Sequence, residues 1–250
     1  ELKELVRPDT KLICINNASN PLGAVLDRET LEQIVEIAQS VGAYVLSDEV
    51  YLPLENTENF WSMADLYDKA VVTNSISKTY SVPGARIGWT VSNRELADKF
   101  RVYRDYTMIC CGEFNDALAT YILQYRDYTL ICGGVFNDAL AVHVLRNRER
   151  IMERNRAIVL GNRDIAQAWV DDEPRVRWVA PKGVSTSYIQ FDIPMDDEEF
   201  CVKLLKEEGV LLVPGNRFEL PGGARLGYCA PEPVLREGLA RLGRALRQFD

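Results

Sequence analysis

A strand, an amphipathic helix and a second strand follow one another near the start of the chain, and this order constrains the fold more than any other stretch. Lys11 to Ile15 is short and apolar, and Asn16 to Gly23 is a polar turn rich in Asn and Pro. Asp27 to Val41 then carries Leu31, Ile34, Val35, Ala38 and Val41 at helical spacing, with Glu and Gln between them. Gly42 supplies the stop. Ala43 to Leu46 is apolar again and delivers Ser47, Asp48 and Glu49 to its carboxyl end. Strand, helix, strand with polar residues at the tips is the pattern of a parallel α/β sheet, in which ligands bind beyond the carboxyl ends of the strands. Two further strands are expected, over Ala70 to Asn74 and Ile87 to Val91, before a helix that begins near Arg94.

From Pro174 the order changes. Strands are expected over Val176 to Val179 and Ser187 to Asp192, a helix over Asp197 to Glu208, strands over Val210 to Val213 and Arg225 to Cys229, and a closing helix from Pro233 to Phe249. The reading is therefore an α/β domain with a mostly parallel sheet over residues 1–145, followed by a smaller α+β domain over 146–250. The stretch from Asn137 to Val170 has almost no breaker apart from Gly161 and reads as a long helix joining them.

An internal repeat interrupts this layout. Arg104 to Leu123 matches Arg126 to Leu145 at an offset of 22 residues, with 14 of 20 positions identical. Two copies are too few for a solenoid, so a local tandem duplication is the better reading. Each copy carries a break, at Cys111-Gly112 or Gly133-Gly134, which favours a turn between helices.

Composition narrows the function. With 47% hydrophobic and 26% charged residues the chain is globular in character, no window approaches the roughly 18 consecutive apolar residues of a spanning helix, and the opening residues are charged. These features argue against a membrane span and a secretory signal and for the cytoplasm. A net charge of −8, from 37 acidic and 29 basic residues, argues against a nucleic-acid partner, which needs a concentrated positive face. The six cysteines show no CxxC spacing and only His143 could assist them, so no metal site is expected and buried free thiols in a reducing compartment are.

The stretch from Ser75 to Gly88 (Ser-Ile-Ser-Lys-Thr-Tyr-Ser-Val-Pro-Gly-Ala-Arg-Ile-Gly) carries the strongest chemical signal. Lys78 follows an apolar strand, hydroxyls flank it, and Arg86 comes eight residues later. That set suits a carbonyl-bearing phosphate cofactor: the amine forms an imine while hydroxyls and guanidinium hold the phosphate. A lone Ser-x-Ser-Lys would read as a surface loop. Asp48, thirty residues earlier at a strand tip, changes the balance, because a carboxylate there keeps a pyridinium nitrogen protonated.

On these residues the sequence resembles the class I/II, fold type I aminotransferases, which use pyridoxal 5′-phosphate (PLP). Asn20-Pro21-Leu22-Gly23 looks like the family's Asn-Pro-Thr-Gly turn, with Leu22 in place of threonine. Ser47 to Tyr51 resembles its Asp-Glu-x-Tyr strand end, Ser75 to Gly88 its lysine signature, and Arg225 to Tyr228 its late Arg-Leu-x-Phe/Tyr segment. The resemblance implies that Lys78 carries the cofactor as a Schiff base and moves the proton, that Asp48 pairs with the pyridine nitrogen, and that Tyr51 and Asn20 hold the phenolic oxygen. It further implies that Ser75, Ser77 and Arg86 bind phosphate, that Arg225 takes the substrate carboxylate through a bidentate fork, and that Asn20 also takes part in substrate binding. The expected partners are an amino acid, a 2-oxo acid and a second subunit in a homodimer.

In that family an upstream segment adds an aromatic that stacks on the cofactor ring. None is found before Lys11, and the chain opens at Glu1 without an initiator methionine, so the expectation is the later part of something longer. The leading reading is an aminotransferase. A PLP-dependent lyase, cyclase or oxidase would use the same residues, since the orientation of bonds at the substrate α-carbon selects the reaction. Arg-Asp-Tyr-Thr bears a faint likeness to enzymes that modify arginine-like amino acids in peptide-antibiotic pathways, a likeness that carries little weight. A third reading is a truncated fragment without turnover. His143, the repeat tyrosines Tyr103, Tyr106, Tyr125 and Tyr128, and the mixed charges from Arg146 to Arg156 read as helix surface and packing.

Overall fold

The computed structural model describes residues 1–107 and 135–249. Most of the duplicated stretch, with Cys110, Cys111, Cys132 and both proposed breaks, lies outside the described residues. The chain forms two compact units: Glu1–Asn17, Leu26–Leu52 and Asn59–Glu153 make the first, and Ala18–Val25, Pro53–Glu58 and Arg154–Asp250 the second.

In the first unit, a short helix α1 (Leu2–Leu5) precedes β1 (Leu12–Asn16), α2 (Arg28–Val41), β2 (Tyr44–Asp48), β3 (Ala70–Ser75) and β4 (Gly88–Ser92). The sheet runs β1-β2-β3-β4, with β1, β2 and β3 parallel and β4 antiparallel to β3. Ile13, Val45 and Val72 alternate onto one face and are buried against Leu31, Ile34, Val35 and Ala38 of α2. Both ends of α2 are set locally. The Asp27 carboxylate accepts from Thr30 N at 2.9 Å, and Gly42 closes the helix at φ +70°, a left-handed value that favours glycine.

Beyond the sheet, α3 (Arg94–Thr107) is capped by Asn93, whose Oδ1 accepts from Leu96 N at 3.0 Å. In α4 (Val135–Arg146), Ala141 and Val144 of the second repeat copy pack on Ile76, Tyr80 and Ala85. The expected single helix from Asn137 to Val170 is two helices, α4 and α5 (Arg148–Asp172). The break falls at Asn147, whose side chain donates to the His143 carbonyl at 2.8 Å and so competes with backbone amides for the same acceptor.

The second unit holds β5 (Val176–Trp178), β6 (Thr186–Phe191), α6 (Asp197–Glu208), β7 (Val213–Pro214), β8 (Gly223–Gly227) and α7 (Glu232–Leu246). Its sheet, β5-β6-β8-β7, is antiparallel throughout. Ile189, Phe200, Leu204, Tyr228, Leu242 and Leu246 are buried to within 1% and form its core. The Asp196 side chain caps α6 by accepting from Glu198 N and Glu199 N, and Asp197, Glu198 and Glu199 put negative charge at the helix's positive end. Two strands differ from expectation. β7 is reduced to two residues, and β8 begins at Gly223, where the backbone lies so close to the Ile189 carbonyl that no side chain fits.

Thus the α/β class with a separate antiparallel sheet is the architecture observed. Among the described residues no helix is long and apolar enough to cross a membrane, and no cluster of His, Cys, Asp or Glu could hold a metal ion. The cysteines differ from the buried thiols expected: Cys201 is buried, but Cys14 and Cys229 are exposed. Cys14 alternates with Ile13 and so lies on the sheet face away from α2.

Candidate functional site

The carboxyl ends of β1, β2 and β3 lie in register, with Asn16 opposite Asp48 and Asp48 opposite Thr73. Asp48 is held at its tip from both sides: its carbonyl accepts from Asn17 N at 2.9 Å and Asn16 Nδ2 at 3.1 Å, and its Oδ1 accepts from Val50 N at 3.1 Å. Next to it Glu49 is almost wholly buried, and its Oε1 accepts from Met63 N at 2.9 Å. Burial pushes the Glu49 carboxyl above its ordinary value, against the hydrogen bond from Met63.

β3 ends at Ser75, and the chain turns at once through Ile76, Ser77 and Lys78. Ile76 and Tyr80 anchor the turn in the core under α4, while Lys78 between them is exposed. The Ser75 hydroxyl accepts from Ser77 N at 3.2 Å, and Ser81 N donates to the Lys78 carbonyl at 3.0 Å. Ser81 and Arg86 both adopt positive φ, 58° and 52°, which non-glycine residues hold only when their surroundings fix them. Arg86 is exposed, and its guanidinium donates to the Pro83 carbonyl at 2.8 Å. Gly88 closes the loop against Ser75 of β3.

Tyr51 is 8% exposed, and the Lys78 amine lies 5.7 Å from the centre of its ring. Sequence reasoning missed the residue that joins these two segments. Thr79, buried, accepts from Leu52 N at 2.9 Å and donates to the Val50 carbonyl at 3.2 Å through the same hydroxyl. It stood in the sequence as part of the lysine signature, but spacing gives no hint of its partners.

The structure therefore brings Asp48, Tyr51, Ser75, Ser77, Lys78 and Arg86 to one end of the first unit. Asn20 and Arg225 belong to the second unit, where they meet. Arg225 Nη1 donates to Asn20 Oδ1 at 3.3 Å, and its guanidinium carbon lies 5.1 Å from the centre of the Phe218 ring. Asn20 precedes Pro21 through a cis peptide bond. Beside Arg225 in the sheet is Tyr188, whose ring fills the space that a side chain on Gly215 or Gly223 would need.

Chemically, the first unit offers an exposed primary amine, two hydroxyls, a guanidinium and a carboxylate at the carboxyl edge of a parallel sheet. The donor set fits PLP: amine for carbonyl, hydroxyls and guanidinium for phosphate, carboxylate for ring nitrogen. Such a set belongs to the class of sites able to hold a carbonyl-bearing phosphate cofactor.

Comparison with known proteins narrows the class. The family profile of aminotransferase class I and II matches residues 1–242, and the chain belongs to that family. The aspartate aminotransferase of Thermotoga maritima is 30% identical over 245 residues, covering 97% of this chain and 58% of that protein. The crystal structure of a PLP-dependent aminotransferase from Streptococcus suis superposes with a TM-score of 0.87 at 46% identity, over 100% of this chain and 60% of that one. A PLP-dependent cyclase superposes with a TM-score of 0.79 at 27% identity, over 99% of this chain and 61% of its own. The chain thus spans between 58% and 61% of the length of these relatives.

Proposed function

We propose that this protein transfers an amino group between an amino acid and a 2-oxo acid, with PLP held on Lys78. The observation that carries the reading is the exposed Lys78 amine, fixed by buried neighbours on both sides and facing Tyr51 beyond the carboxyl ends of parallel strands. Family membership supports it.

When bound, the cofactor supplies an electron sink for negative charge at the substrate α-carbon. Lys78 would provide the nucleophilic amine that holds the cofactor and the base that moves a proton at that carbon. The Asp48 carboxylate, held by Val50 N, would keep a proton on the ring nitrogen. Tyr51 and Asn20 would hydrogen-bond the phenolic oxygen, while Ser75, Ser77 and Arg86 would take the phosphate. Arg225, steadied by Asn20 Oδ1 and the Phe218 face, grips the substrate α-carboxylate. The same reading makes the protein a cytoplasmic homodimer. A second reading, a PLP-dependent cyclase acting through the same residues, is favoured by the likeness to the cyclase structure.

Borohydride reduction of the cofactor-loaded protein, followed by peptide mapping, is expected to place the label on Lys78. Lys78→Ala is expected to abolish both label and transamination of an amino-acid panel against 2-oxoglutarate. Label on a different lysine would sink the assignment, and a labelled protein that releases a cyclised amino acid without transaminating would favour the second reading.

A further inference from the structure

Two peptide groups flank Tyr51, and one hydroxyl holds both. Thr79 Oγ1 accepts from the amide of Leu52 and donates to the carbonyl of Val50, across separations of 27 and 29 residues. A hydroxyl can do this because it is donor and acceptor at once. Thr79 is 5% exposed, so water does not compete freely for either bond, and its β-branch restricts the rotamer that points the oxygen at both partners. The residue immediately before it is Lys78. The pin therefore joins the backbone next to the amine with the backbone on either side of the ring that the amine faces at 5.7 Å.

We infer that Thr79 is a positioning residue of this site, setting the placement of Tyr51 relative to Lys78 and hence relative to the cofactor that both would hold. It rests on the proposed function, since it assigns Thr79 a part in the same site. Other fixings act on one side only: Ile76 and Tyr80 seat the lysine turn in the core, and Ser81 N closes the turn onto the Lys78 carbonyl. Among the described residues, Thr79 is the side chain whose hydroxyl ties the lysine turn to both neighbours of Tyr51. Replacing it with valine keeps the shape and removes both bonds, leaving a half-buried amide and carbonyl without this partner.

The test compares the full-length protein with T79V, T79S, Y51F and the T79V/Y51F double variant, reading PLP dissociation constants by titration. It also reads hydrogen exchange at the Leu52 amide in the cofactor-free proteins. T79V is expected to weaken PLP by about tenfold, ~1.4 kcal/mol, and to expose the Leu52 amide, while T79S recovers most of both. In the Y51F background T79V is expected to add little, because the pin acts through the tyrosine. Multiplicative losses in the double variant, or an unchanged dissociation constant in T79V, would overturn the inference. T79A replaces T79V if the latter does not fold, and failure of both to fold would equally overturn it, as the hydroxyl would then be a requirement of the fold. If the wild-type protein carries no label on Lys78 after reduction, the proposed function itself fails; a labelled wild type with an unaltered T79V isolates the failure to Thr79.

Discussion

Glu49 is a carboxylate that the fold keeps nearly dry. Its pKa lies above the ordinary 4.5 because burial outweighs the Met63 hydrogen bond. The folded state therefore holds this proton more tightly than the unfolded state, and the stability the group contributes is fully present below the unfolded value and lost as pH rises through the raised folded value. Glu49→Gln keeps an oxygen for Met63 N and never ionises. The variant should unfold at a higher denaturant midpoint than the parent at neutral pH, with the gap closing as pH falls through that window toward 4.5. A gap independent of pH, or a less stable variant at neutral pH, would mean that the ionised carboxylate earns its place through hydrogen bonds. Asp48 and Lys78 announce themselves in the sequence through their motifs, but the burial of Glu49 beside them does not, since an acid at a strand tip is solvated as often as not.

At the scale of elements, the edge between β3 and β4 is tightly constrained. A Cβ on Gly88 would lie 2.8 Å from the Asn74 carbonyl oxygen and 3.3 Å from Ser75 Cβ, both part of the strand that leads into the lysine turn. Gly88→Ala should lower stability by about 1–3 kcal/mol as the strands are forced apart, whereas Gly227→Ala, where a Cβ meets open space, should leave the midpoint nearly unchanged. Equal effects from the two substitutions would refute the close approach as the cause. Elements with local signals were legible in the sequence, as α2 was through its apolar face and the Gly42 stop. The division of α4 from α5 was not, because Asn147 is no breaker by propensity and interrupts only through the bond its side chain makes to His143. The antiparallel direction of β4 was also hidden, since strand patterns carry no sign.

Across the whole chain, the hardest relation to foresee is Asn20 with Arg225, which touch across a separation of 205 residues. Motif resemblance named both residues, yet only the folded second unit brings the amide to the guanidinium. That unit also offers a reporter of its integrity. Cys201 is 5% exposed, and burial, with help from neighbouring Asp197, pushes its thiol up to about 12. The thiolate is the reactive species, so Cys201 should resist alkylation in the native protein and react at the rate at which the unit opens. Mass-spectrometric mapping over a denaturant series checks this; rapid native labelling of Cys201 would show that its surroundings open without unfolding.

The ring of Tyr188, wedged where side chains on Gly215 and Gly223 would go, has a consequence for how this protein can change over generations. Both glycines are barred from acquiring a side chain by that ring and by the backbone carbonyls of Leu220 and Ile189, so a smaller residue at 188 would not by itself open the room. Drift in the neighbourhood of Arg225 is thereby channelled toward Phe218, whose ring is only half-buried and whose backbone is under no such squeeze. A mutagenesis library meant to alter which carboxylate Arg225 accepts has its latitude at that aromatic and almost none at the two glycines.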